Sequence, residues 1–488
     1  GTLTVGLAGE YVKQTSKAVV SYGMGYPNDN MMQSINNAMI RSTGESFREA
    51  KSIGMLANLK YDYENKYILN VNLRRDGSSK FAPGRQFGNF GSVSASWILS
   101  NEKWMDKILP IWVNSVKLLA TYGTTGSSST GDYEYLSRWT INAGNGERHP
   151  GYGNLPAIRI NQPVNQQFQW ESTSQVNYSA EIAFLKEALV LNVTHYRKLS
   201  GNQLLEIPTP EYTGFTQALG NLNALVRNTG WEFSLNGRVV VSKDLSLGFG
   251  LNVDFHRNKL LEFPDILSSP YAQTYAVGGS INNKYLLHYT GVDPFSGEAT
   301  YEDRSKDGYI TPYDRFSLLD TRSDLYVVVN TDDAKYQGGL QLRVNWKNLE
   351  FSTSMYFRNQ LGAVPYLSGT MGIMKNFSLP EKERNKVWRK PGDIAYYPRY
   401  TTNPPNTIER SDGYYADASF IKFTQLSVSY SLPVSWLDKV KLKDCRLRLA
   451  VNNLGYITPY KGLDPETQMT LYAGPVQRQF STGISVSL

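Results

Sequence analysis

The stretch that most constrains this chain runs from Gly54 to Phe81, GMLANLKYDYENKYILNVNLRRDGSSKF. Ala57, Leu59, Tyr61 and Tyr63 alternate with Asn58, Lys60 and Asp62, and Glu64, Asn65 and Lys66 form a polar turn. Beyond the turn, Tyr67, Leu69, Val71 and Leu73 alternate with Ile68, Asn70, Asn72 and Arg74. Period-two patterning on both arms predicts a β-hairpin. Each arm holds about ten residues, the length a tilted strand needs to cross a bilayer's hydrocarbon. Tyrosines gather where the arms meet the turn, as in an interfacial aromatic girdle. After Leu73 the pattern gives way to RRDGSSK, which reads as a polar loop. Arg74, Arg75, Asp76 and Lys80 are its candidates for lining a mouth, against the plainer reading that Gly and Ser there simply make a turn.

The same alternation recurs to the end of the chain. Val93, Ala95 and Trp97 oppose Ser92, Ser94 and Ser96; Val176, Tyr178, Ala180 and Ile182 oppose Asn177, Ser179 and Glu181. Leu247, Phe249, Leu251 and Val253 oppose Ser246, Gly248, Gly250 and Asn252, and Leu447, Leu449 and Val451 oppose Arg446, Arg448 and Asn452. About fourteen strands result, counted by alternation. Every second connection is short, near Glu64, Lys103, Lys186, Lys243, Lys347 and from Pro433 to Lys443. The others are long, spanning 12–53, 75–89, 124–171, 200–227, 258–335, 358–418 and 454–478. A sandwich has no reason to sort loops by length to alternate ends, whereas an outer-membrane barrel has short periplasmic turns and long extracellular loops. The polar face carries Lys117, Glu181, Arg446 and Arg448, which a dry sandwich core would leave without partners. The fold class is therefore all-β, a transmembrane antiparallel barrel.

Composition agrees. Aromatic residues make up 12% of the 488 residues, led by 33 tyrosines, while charged residues make up 19%; this suits half-buried strands and is poor for disorder. No run of about eighteen apolar residues exists, which leaves no helical span, and the negative mean hydropathy is no obstacle to a barrel, whose inner face dilutes the apolar one. The net charge of +7 is spread through loops without a basic run, so nucleic acid is not an expected partner. A single cysteine, Cys445, excludes an internal disulfide framework. The chain opens directly on a strand with no signal peptide, as a mature or truncated piece would.

Four segments resemble one family. NLRRDGSSKFAPGRQFGNFGSVSASW (72–97), GFTQALGNLNALVRNTGWEFSLNG (214–237), FIKFTQLSVSYSLP (420–433) and NNLGYITPYKGLDPE (452–466) are similar to the SusC/RagA family of TonB-dependent outer-membrane transporters. The resemblance implies a 22-stranded barrel with a plug, a SusD/RagB-like surface lipoprotein as lid, energy from TonB, and import of oligopeptides or oligosaccharides through the bacterial outer membrane. It covers only the C-terminal portion of such a transporter; the plug, the TonB-contacting segment and the first strands have no counterpart in this sequence. Within the last long loop, Tyr460, Lys461 and Asp464 are candidates for substrate contact. The final stretch, with Phe480, Ile484, Val486 and Leu488 alternating with serines, resembles a barrel assembly signal, although it ends in leucine rather than an aromatic residue. The alternative from another class is a surface receptor or adhesin that binds without conducting.

Asp303, Ser305, Asp307, Tyr309 and Asp314 fall at positions 1, 3, 5, 7 and 12 of a calcium loop, with Gly308 at the sharp turn. Aspartate at the last position and the neighbouring Arg304 and Lys306 weaken the match, and an Asx-rich turn is the competing account. No other cofactor is expected. Enzymatic readings are poor: the four histidines, His149, His195, His256 and His288, form no HExxH pair, and no GxSxG elbow is present.

Overall fold

The computed structural model describes residues 1–140, 152–154, 157–310, 318, 322–364, 381–401, 408–440, 442–462, 464–468 and 476–487. Fourteen long strands form one antiparallel sheet in chain order: β1 (Thr2–Met24), β2 (Ile40–Tyr63), β3 (Tyr67–Ser78), β4 (Phe87–Ile98), β5 (Val113–Ser127), β6 (Glu171–Phe184), β7 (Leu189–Gly201), β8 (Leu225–Ser242), β9 (Leu245–Glu262), β10 (Gln337–Trp346), β11 (Leu349–Arg358), β12 (Phe420–Ser431), β13 (Asp444–Ile457) and β14 (Gln479–Ser487). The expected alternation of connections holds except between β3 and β4, where 79–86 is shorter than the turns 99–112 and 432–443. The short ones are 64–66, 99–112, 185–188, 243–244, 347–348 and 432–443; the long ones are 25–39, 79–86, 128–170, 202–224, 263–336, 359–419 and 458–478. None of the described helices is long and apolar enough to cross a membrane.

The chain divides into two compact units. The first comprises 1–95, 121–176 and 199–225. In it, the register Asn58↔Asn72 places the polar side chains of β2 and β3 on one face. There the Asn58 amide donates to Asn72 at 2.6 Å, and Asn72 and Asn70 donate to Ser92 and Ser94 at 3.2 and 3.4 Å. The opposite face presents Leu7, Met55, Tyr61, Leu69 and Leu73, all exposed. From Tyr63 to Ile53 the strand rises roughly 34 Å, which at a tilt of ~40° is roughly 26 Å along the membrane normal, the height of a barrel's apolar band. Tyr61, Tyr63 and Tyr67 stack at successive centroid distances of 6.5 Å beside the short turn, as the girdle reading requires.

Beyond that band the structure corrects the sequence pattern. Residues 12–53 are not one loop: β1 and β2 stay paired from Thr2↔Asp62 to Met24↔Ile40, and only 25–39 connects them. The alternation disappears because polar and apolar residues no longer segregate by face, with Lys13 to Lys17 polar on both and Val19 and Val20 apolar on both, while the backbone ladder, which does not depend on side-chain polarity, continues. Lys13 and Lys51 stand opposite one another there, and Glu49 pairs with both at 3.0 Å. Likewise β3 continues to Ser78, so Arg74, Arg75 and Asp76 are strand residues rather than loop residues.

The second unit comprises 96–120, 177–198 and 226–488. Its polar face repeats the same device, with Ser179 to Thr194 at 2.9 Å, Asn345 to Ser246 at 3.1 Å and Ser352 to Ser427 at 2.7 Å. Its apolar face carries a row of rings in which His195 lies 4.7 Å from Trp231, followed by Phe233, Phe255, Tyr336 and Phe357. In β14, Phe480, Ile484 and Val486 are exposed on one side, the alternation expected of the terminal strand; Leu488 lies outside the described residues.

Candidate functional site

The long connections fold into packed clusters. In the first unit, Phe81, Ala82 and Phe168 are fully buried, with Trp170, Tyr135, Leu204 and Leu219 against them. Phe81 and Trp170 lie 4.6 Å apart, and the Trp170 indole donates to the Gln86 carbonyl at 3.0 Å. Lys80 fastens a second loop to this core, donating to the carbonyls of Ser128 and Thr130 at 3.2 and 2.8 Å. It is therefore a strut and not a free cation at a mouth. Arg74 faces the polar side, paired with Asp76 at 2.7 Å and reaching Glu10 at 3.5 Å. Arg75 faces the other side, its guanidinium 5.1 Å over the Phe87 ring. The structure thus separates Arg74 and Arg75, which the sequence grouped. An open depression of about 630 Å³ crosses β1–β4, lined mostly by apolar groups such as Leu7, Met55, Leu56 and Leu73, with Arg74, Arg75 and Asn89 also at its edge; it belongs to the sheet surface.

In the second unit, three loop segments that are far apart in sequence enclose a cavity of about 340 Å³. Glu383, Lys386, Tyr396 and Tyr397 come from one segment, Asp417 from the approach to β12, and Tyr460 and Lys461 from the last long loop. Glu383 is buried, accepting from the Tyr397 hydroxyl at 2.7 Å and from the Lys386 ammonium at 3.1 Å. Burial acts to raise its carboxyl, but these hydrogen bonds and the charges of Lys386 and Lys461 outweigh it and hold it below the usual range. The Tyr396 ring is exposed and set edge-on to Tyr397, centroids 4.9 Å apart. A wall of phenol rings with a fixed carboxylate and two ammonium groups offers stacking surface together with hydrogen-bonding and charge contacts.

Of the three candidates from the last loop, only Lys461 is exposed at this cavity. Tyr460 is buried and donates its hydroxyl to the Ala363 carbonyl at 2.7 Å. Asp464 is 2% exposed and accepts from the Glu466 amide at 2.8 Å, so it folds the loop instead of meeting substrate. The residues the sequence reading missed, Glu383 to Tyr397, lie in EKERNKVWRKPGDIAYYPRY (381–400); the signal available was an aromatic–proline run following a KPGD turn, with no alternation to place it.

The proposed calcium ligands are partly described. Asp303 Oδ1 accepts from the Ser305 hydroxyl at 3.1 Å and the Lys306 amide at 2.6 Å, and Oδ2 accepts from the Gly308 amide at 2.9 Å. The Gly308 amide first, then the other donors, holds the Asp303 carboxyl below its ordinary value. Asp307 accepts from the Tyr309 amide at 2.8 Å, and Gly308 has φ +81°. Among the described residues no three His, Cys, Asp or Glu groups gather around one point; Asp314 lies outside them. What the described part displays is an Asx-type turn closed by its own amides. Of the histidines, His256 lies 3.1 Å from Asp254 and His288 2.8 Å from Asp412, whose other oxygen accepts the Tyr289 amide at 2.7 Å; His149 lies outside the described residues.

Comparison with known proteins places this geometry. Residues 1–349 match the family described as TonB dependent receptor-like, beta-barrel. The chain is 25% identical over 447 residues to the TonB-dependent receptor P3 of Formosa agariphila, covering 86% of this chain and 42% of that protein. It is 23% identical over 496 residues to the TonB-dependent receptor SusC of Bacteroides thetaiotaomicron, covering 96% of this chain and 46% of that protein. Among solved structures, the RagAB peptide transporter superimposes with a TM-score of 0.81 at 21% identity, over 99% of this chain and 53% of that one. The chain thus spans about half the length of the curated relatives it matches.

Proposed function

The chain belongs to the TonB-dependent receptor-like β-barrel family of the outer membrane, and from that premise we propose that it forms the wall and outer loops of an importer for oligomeric nutrients. The substrates are oligopeptides or oligosaccharides, captured between these loops and a SusD/RagB-like surface lipoprotein, with entry driven through TonB. The observation that carries the reading is the cavity of about 340 Å³ in the long-loop cluster, where Tyr396, Lys461 and the held Glu383 carboxylate meet. It lies at the end of the strands that the alternation of loop lengths makes extracellular. A polar inner face, laid down by Asn58, Asn72, Ser352 and Ser427, suits passage of hydrated solutes. Transport, and not catalysis, is the role this arrangement supports.

Uptake of labelled peptide and glycan mixtures by cells with and without TonB tests the proposal. Energy-dependent accumulation of one class is expected, reduced by Lys461→Ala or Tyr396→Ala. Surface binding that never becomes uptake, with TonB present, overturns import in favour of a non-conducting receptor. Co-purification of a surface lipoprotein with the chain tests the lid separately.

A further inference from the structure

The turn between β4 and β5 is built inside out for a water-exposed connection. Its sequence, LSNEKWMDKILPIW (99–112), folds through two 3₁₀ turns at Leu99–Asn101 and Met105–Lys107. Two of its residues point inward: Met105 is buried, and Glu102, also buried, accepts from the Trp97 indole at 3.2 Å. That anchoring turns Trp104, Ile108, Ile111 and Trp112 outward, exposed by 49, 63, 101 and 52%. The neighbouring turn 185–188 joins them, its Leu185 amide donating to the Trp112 carbonyl at 2.8 Å while the Leu185 side chain is itself exposed.

This patch continues the lipid-facing rows of two strands. Trp97 shares the apolar face of β4 with Val93 and Ala95, and its ring lies 6.4 Å from Trp104. Phe184 shares the apolar face of β6 with Tyr178 and Ile182, and it stacks on Trp112 at 5.7 Å. Exposed Lys103, Lys107 and Lys186 lie in the same two turns, outnumbering the exposed carboxylates of Asp106 and Glu187 there. Single exposed apolar residues need no explanation, but a contiguous group running on from a membrane face marks an interaction surface. Indole rings with flanking ammonium groups match a lipid interface, apolar below and phosphate-bearing above.

We infer that turns 99–112 and 185–188 form an interfacial anchor that inserts Ile108 and Ile111 into the phospholipid leaflet at the short-turn, periplasmic end of the barrel. The three lysines lie at headgroup level, and the anchor sets the depth of β4–β6 in the membrane.

Nitroxide labels at Ile111→Cys, Ile108→Cys and Lys103→Cys, each with Cys445→Ser, test this in vesicles of phosphatidylethanolamine with and without phosphatidylglycerol. Heat-modifiable gel mobility first verifies each folded variant. Labels at 108 and 111 are expected to favour collision with oxygen over a water-soluble nickel chelate several-fold more than the label at 103. Free access of the chelate at 108 and 111 overturns the inference, and so does exclusion of both reagents, which would mean that protein covers the patch. The unsubstituted chain gives an independent readout: lipids brominated high on the acyl chain are expected to quench its tryptophan emission, and Trp104→Phe with Trp112→Phe to reduce that quenching measurably, with Trp97 and Trp231 on the strands accounting for a remainder. Unchanged quenching in the double variant also overturns it.

Discussion

Asp76 lies directly opposite Gly54 across β2 and β3, and a methyl group at Gly54 would sit 2.8 Å from its Oδ1 and 3.4 Å from the Arg74 guanidinium. The missing side chain lets the Arg74–Asp76 pair lie flat across the neighbouring strand on the polar face.

Gly54→Val is therefore expected to displace that pair and cost about 1–3 kcal/mol, the range for overpacking a filled site. Gly54→Ala should cost less, because carboxylate and guanidinium ends can shift. Denaturant titration in detergent checks the order Gly > Ala > Val, and Asp76→Ala in the Val background should recover part of the loss.

The two faces of β3 should differ sharply in tolerance. A lysine at Leu69 or Val71 is expected to destabilise by about 2–4 kcal/mol where the residue is near the membrane midplane. Asn70, whose amide reaches Ser94 at 3.4 Å, should accept the same change with far less effect. Equal losses at 69 and 70, measured by folding yield into vesicles, would refute the face assignment.

Lys80→Met keeps the length of the side chain and removes its ammonium. Two carbonyls, of Ser128 and Thr130, lose their donor, and charged hydrogen bonds of this kind contribute about 1.5–3 kcal/mol. Limited proteolysis is expected to nick near 128–132 faster in the variant, with the gel mobility of the barrel unchanged.

Alkali should loosen the second unit's loop cluster before the strands. Burial, with a smaller contribution from Tyr396, pushes the Tyr289 phenol up to about 12, and its hydroxyl donates to the Tyr396 carbonyl at 3.0 Å. Since the folded value is raised, the stabilisation is complete below the ordinary tyrosine value of about 10 and is lost as pH rises towards about 12. Tyrosinate absorbance should accordingly show a late-titrating group that Tyr289→Phe removes.

The strands were legible because the signal is local. A side chain in a strand reports its face through its own sequence parity, so Leu69 and Asn70 were placed before any partner was known. Where parity failed, the reason was physical: past Tyr11 polar and apolar residues fall on both faces of β1, as Lys13 to Lys17 and Val19 with Val20 do, so parity no longer reports a face. Loop residues carried no such signal. Tyr460 and Lys461 are adjacent in sequence, look equally available and both line the cavity, yet Tyr460 is buried with its hydroxyl on the Ala363 carbonyl while Lys461 is exposed.

By itself, then, the sequence determined an antiparallel membrane sheet of fourteen strands, its two faces, and which of its ends carries long loops, because each follows from a two-residue period and the spacing of its interruptions. Only the tertiary structure decided that Gly54 makes room for Asp76, that Asp464 is buried, and that Glu383, Tyr396 and Lys461 share one cavity. Those are contacts between segments distant along the chain, set by how loops pack against one another and not by the pattern within any one of them.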